Sequence, residues 1–167
     1  MKRGAEIEGS IYEWLKKRHP HGPTWFDRDD VPVDAPPIEL RMLYAMNVIE
    51  YNISNGGWSQ FLWNCIDQWR PIVKTAREGY SLVGAADQAA ALDALEALCE
   101  RDERECLTSL GRENGSMETF ATFTQRSYLS REDAWEELFW GDIHDRRLAW
   151  LEANEPRIRA LIGQLDA

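Results

Sequence analysis

Cysteine, histidine and long apolar runs are all scarce in this sequence, and each shortage closes off a class of function. The three cysteines, Cys65, Cys99 and Cys106, have no CxxC spacing, so neither a disulfide framework nor a paired-cysteine zinc site is readable, and reduced core thiols are expected. The three histidines include no HExxH pair. His19 and His21 flank Pro20 and read as exposed turn residues, while His144, between Asp142 and Asp145, reads as a charge partner at a helix end. No metal, cofactor or catalytic residue is expected. With no nucleophile-elbow motif the chain reads as a non-enzyme. No stretch approaches the ~18 apolar residues of a membrane span, and "MKRGAEIEGSIYEWL" lacks the apolar centre of a signal peptide. A cytoplasmic chain is the expectation.

Basic residues are also in deficit, with 19 against 29 acidic ones and a net charge of −10. That balance disfavours direct binding to nucleic acid or an anionic membrane and favours a basic protein partner. The imbalance is uneven. Residues 1–20 hold five basic and three acidic groups, leaving 14 basic and 26 acidic groups for the rest.

What the sequence has is aromatic bulk and helical periodicity. Eight tryptophans and 44% hydrophobic residues in 167 supply a core of ordinary size for one domain. Ile7, Ile11, Trp14 and Leu15 place a first helix over 5–18, ended by His19-Pro20. A Pro-rich arm with Asp27, Asp29, Asp30 and Asp34 follows, pinned in expectation by Trp25 and Phe26. Ile38, Met42, Met46, Ile49 and Ile53 then mark a second helix, and Trp58, Phe61, Leu62, Cys65, Ile66 and Trp69 a third that ends before Pro71. Helices are also predicted over 72–83, from about Asp87 to Leu110, near Met117–Phe123, from a capping box at Ser130–Asp133 through Trp140, and over 143–154 and 156–165. No stretch alternates as a strand should, so the class is all-α, divided into an N-terminal helix and arm (1–37) and a main helical domain (38–167).

Most acidic runs, "ERDERE" at 100–105 among them, read as solvated helix faces. One is better ordered. Asp93, Glu96, Glu100 and Glu103 fall at i, i+3, i+7 and i+10, forming a carboxylate ridge with no cation in the row but the neighbouring Arg104. Glu132, Asp133, Glu136 and Glu137 form a second candidate set.

Between two apolar segments stands "EYNISNGGWSQFLWN". Its Gly56-Gly57 pair has neither the Gly-Lys-Ser/Thr nor the third glycine of a phosphate loop, and no strand precedes it. A helix corner is expected, with Asn55 or Gly56 left-handed, Gly57 allowing the close turn, and Glu50 and Gln60 tying the two helices together. Glu50, Asn55, Gly56, Gly57, Trp58, Gln60, Phe61 and Asn64 together resemble the signature of a bacterial all-helical family that includes the neisserial-type DNA-mimic protein. The resemblance covers about 38–165, with Trp58 and Trp63 where Phe or Tyr is usual.

That resemblance implies a helical fold, dimerisation, and an acidic surface able to occupy the DNA-binding face of a regulatory protein. A chain of this length is about 40 Å across, and duplex DNA of that length carries about 24 charges. The net −10 would therefore have to be gathered on one face or extended by a homodimer. The leading expectation is a DNA mimic that inhibits a basic transcription factor, nuclease or defence complex through the two acidic sets. An immunity or antitoxin-like protein gripping a toxin through Trp25, Phe26 and the acidic arm is a second reading. A small-ligand protein or hydrolase using Glu50, Asn55 and Gln60 is a third.

Overall fold

Helices begin and end here where proline, glycine and side-chain caps permit. The computed structural model describes residues 2–20, 26, 35–110, 116–131, 137–139 and 142–166. Helix α1 spans Lys2–Arg18, α2 Ile38–Asn64, α3 Trp69–Leu82, α4 Ala86–Asp102, α5 Met117–Arg126, α6 Ile143–Ala153 and α7 Glu155–Asp166. No strand occurs among the described residues, and the fold is all-α as expected. Helix α2 packs on α3, α3 on α4, and α1 on α6.

The predicted stripe of α1 is buried, Ile7, Ile11, Trp14 and Leu15 all facing inward. Its first turn lies hard against α6. A Cβ at Gly4 would sit 2.4 Å from the Leu148 carbonyl oxygen, so the approach requires glycine. At the other end the His19 N–H donates to Leu15 O at 2.8 Å, closing the last turn before Pro20.

Helix α2 bends in the middle. Gly56 is extended at φ −175°, and of this pair only Gly57 takes a positive φ, 75° with ψ −171°, a region that only glycine enters readily. The left-handed residue is thus not Asn55 or Gly56. Asn55 stays helical, with its side-chain amide donating to Tyr51 O at 2.6 Å, and the first half runs one residue further than expected. Beyond the bend the helix ends at Asn64, short of Pro71; Cys65–Gln68 form a turn and Trp69 opens α3. Pro71 therefore lies in the first turn of α3, where its missing N–H forfeits no bond within the helix.

Helix α4 carries Leu92, Leu95 and Cys99 inward, then passes through one π-helical turn, Glu103–Leu107, into Thr108–Leu110. Ser116 caps α5, its hydroxyl accepting the Thr119 N–H at 3.1 Å. Leu129–Arg131 form a 3₁₀ turn, while most of the anticipated capping-box helix, including Glu132, Asp133, Glu136 and Trp140, lies outside the described residues. The aromatic bulk fills the centre. Trp58 meets Phe61 and Phe139 edge-on with centroids 5.7 and 5.0 Å away, and Tyr80 meets Phe139 at 5.3 Å, contacts worth about 0.5–1.5 kcal/mol each beyond the area they bury.

Candidate functional site

The carboxylate ridge of α4 stands beside α3, and α3 supplies the cations that the row itself lacks. Arg77 Nε lies 2.8 Å from Asp93 Oδ1, and Arg77 Nη2 lies 2.8 Å from Glu96 Oε2. Arg70 makes a forked contact to Glu103, 2.8 and 3.3 Å, with its guanidinium 4.3 Å from the Trp69 ring centroid. Only Glu100 in the row has no arginine of α3 paired to it among these bonds. The ridge is an interhelical ladder of alternating sign, not a bare row of repelling acids. It is open to water all the same, with Asp93 70% and Glu96 41% exposed.

A second charged cluster is buried where α1, α2 and α6 meet. Arg147 of α6 is 1% exposed. Its Nε donates to Glu8 Oε1 at 2.8 Å, its Nη1 donates to Glu50 Oε2, and its Nη2 lies 2.9 Å from His144 Nδ1. The Tyr80 hydroxyl donates to Glu50 Oε1 at 3.3 Å. Burial is the larger influence on Glu50 and raises its pKa above the usual 4.5, although Arg147 pulls the other way. A guanidinium can only donate, so His144 faces Arg147 with Nδ1 in the acceptor role. His144 is therefore a partner of Arg147, not of the flanking aspartates.

Above this cluster opens a pocket of about 560 Å³. Asn47, Glu50, Tyr51 and Ser54 line one side; Phe139, Ile143, His144 and Arg147 line the other. A smaller hollow of about 370 Å³ lies over the corner itself, between Asn55–Gly57 and Ser59 on one side and Thr124 and Ser130 on the other. Among the described residues no group of three or more His, Cys, Asp or Glu side chains converges as a metal site. No helix of the described residues is long and apolar enough to cross a membrane.

The family described as DMP19-like protein matches residues 34–154, most of the chain. The chain belongs to the DMP19-like family. No curated protein matches it, and no solved structure does. The match takes in α2 through α6 and leaves α1 outside, although Glu8 of α1 contributes to the buried cluster.

Within this DMP19-like chain the motif residues have separate tasks. Trp58 and Phe61 are wholly buried. Gly57 makes the bend, and Asn64 donates to the Asn52 side-chain oxygen at 2.8 Å, linking the two halves of α2. Glu50 does not reach back to Gln60. It spans outward to Arg147 and Tyr80, while the Gln60 carboxamide folds over Gly56. The anticipated tie at the corner is thus an asparagine pair, and Glu50 fastens α2 to α3 and α6.

Three further placements bear on function. Asp102, inside the "ERDERE" run expected to be solvated, is fully buried. Its carboxylate accepts the Ser127 hydroxyl at 2.7 Å and the backbone N–H groups of Tyr128 and Leu129 at 2.8 and 3.1 Å. Phe26, an anchor in the toxin-gripping reading, is 2% exposed and packs on the Tyr44 ring at 6.3 Å, so it is spent on the core. Of the second acidic set Glu137 is exposed, while Glu132, Asp133, Glu136 and Trp25 lie outside the described residues.

Proposed function

We propose that this protein is a DNA mimic: a non-enzymatic inhibitor whose carboxylates occupy the basic surface with which a protein partner otherwise holds DNA. The observation that carries the reading is the solvent-facing acidic edge of α4 in a DMP19-like chain of net charge −10, since the family is one of DNA mimics. From Asp93 to Glu103 the helix rises about 15 Å, a length of duplex carrying about nine charges. Four acids offset by Arg70 and Arg77 fall short of that density, so the reading includes a homodimer or the 132–137 set to lengthen the track.

The mechanism is exchange of ion partners. Exposed pairs contribute only about 0.2–1 kcal/mol each, so lysines and arginines of an approaching basic surface can share or replace Arg70 and Arg77 at little cost. Glu100 receives a cation outright. Many weak charge contacts acting together make such an affinity steeply salt-dependent.

A lysate from the source cell, passed over the immobilised protein at low and high salt, supplies the partner, and duplex DNA is then titrated against it. Retention only at low salt, displacement by DNA, and loss of binding when Asp93, Glu96, Glu100 and Glu103 are all replaced by Lys are the expected results. Binding that survives both DNA and the charge reversal would sink the proposal.

A further inference from the structure

The buried cluster beneath the larger pocket is one positive charge short. Glu8 and Glu50 share the single guanidinium of Arg147. His144 pairs with Arg147 and not with either carboxylate. The nearest other arginine on α6, Arg146, is taken up by Asp142 at 2.9 Å and by Gly84 O at 3.2 Å. An uncompensated carboxylate in a partly dehydrated site is costly, and the upward pKa of Glu50 has the same origin.

The rest of the pocket has the shape and chemistry to take what is missing. Tyr51 stands 64% exposed at its rim, an aromatic face held out in water with no core to cover. Phe139 and Ile143 provide an apolar wall, and Asn47 and Ser54 provide neutral polar groups. Apolar walls suit an alkyl stem, an aromatic face suits a cation, and a volume of about 560 Å³ accommodates a ligand of arginine size. We propose that this pocket binds a guanidinium or alkylammonium group, whose charge completes the Glu8–Arg147–Glu50 cluster while its stem packs between Tyr51 and Ile143. The site shares no residue with the α4 ridge, so it stands or falls separately from the mimic reading.

The test is a titration of the ¹⁵N-labelled full chain with three probes: Nα-acetyl-arginine amide, its neutral isostere Nα-acetyl-citrulline amide, and agmatine. Saturable shifts at Tyr51, Ser54 and His144 are expected, with the capped arginine bound at least ~10-fold more tightly than the citrulline, the scale of one charge-assisted hydrogen bond. Tyr51→Ala, an exposed change that leaves folding intact, weakens binding severalfold. Glu50→Gln removes the preference for arginine over citrulline. Agmatine binding more tightly than capped arginine identifies a free cation as the source; the reverse order identifies a side chain of a protein. Equal binding of arginine and citrulline, shifts confined to other surfaces, or no shifts at all would each overturn the proposal.

Discussion

Two sets of arginine–carboxylate pairs hold this molecule together at different depths, and their difference separates what is structural from what is available. Arg147 is 1% exposed, fixed by Glu8 and Glu50 from two other helices. Arg77 is 29% exposed, and the two acids it serves are 70% and 41% exposed. The chemistry is the same, yet the consequences are opposite. In the buried cluster every partner is indispensable, because a stranded charge has no water to turn to. On the α4 edge each pair is nearly neutral in stability and can be exchanged, which is what an interaction surface needs.

The largest effect should follow from deleting the shared cation. Arg147→Met leaves two carboxylates facing each other without a counter-charge, and loss of a buried partner typically costs about 3–5 kcal/mol. Urea denaturation measures it directly. Adding Glu8→Gln and Glu50→Gln to the same chain should restore part of the loss, since the stranded charges are then gone. If the triple variant is no better than Arg147→Met alone, the cost lies in packing and the electrostatic contrast between the two regions is wrong.

A smaller effect distinguishes the regions by the sign of their pH dependence. Glu50 has a folded pKa raised above 4.5 by burial, so the folded state favours its proton, and its contribution to stability falls as pH rises from 4.5 through the raised value. Glu155, held by Arg3 and Arg159, is lowered from 4.5 to about 2. Its contribution is complete above pH 4.5 and is lost as pH falls toward 2. Subtracting the stability of Glu50→Gln or Glu155→Gln from that of the parent across pH 2–8 should therefore give curves of opposite slope. Two curves of the same slope would mean that Glu50 is not held under desolvation.

How much of this could be read beforehand follows the distance over which each feature is built. The stripes of α1 and the first half of α2 depend on neighbours three and four residues away, and the sequence displays them openly. The family signature was equally local. Arg147 shares the helical spacing of Ile143 and Leu151, so periodicity puts a charged residue on the inner stripe of α6 without saying what it meets there. Its partners lie 139 and 97 residues away, beyond any periodicity. Asp102 was hidden in the same way: one acid among four in "ERDERE", distinguished only by donors 25 to 27 residues on. Pro71 is ambiguous in the sequence because proline both ends helices and begins them, and the Cys65–Gln68 turn that decides between those roles carries no glycine or proline of its own.

The smallest effect on stability is also the sharpest probe of the exposed region. Arg77→Gln removes the cation that serves both Asp93 and Glu96, at a cost of about 1 kcal/mol or less in urea denaturation, because the freed carboxylates are hydrated at once. Lys74→Gln, at an exposed site on the same helix, changes the net charge by the same amount without baring the ridge. If α4 presents its acids as a patch, the Arg77 variant should elute later than the Lys74 variant from an anion exchanger, since a surface of fixed opposite charge senses local density and not net charge alone. Identical elution would mean that the ladder's arginines do not govern how strongly this edge attracts cations, and the exchange of ion partners proposed for it would lose its footing.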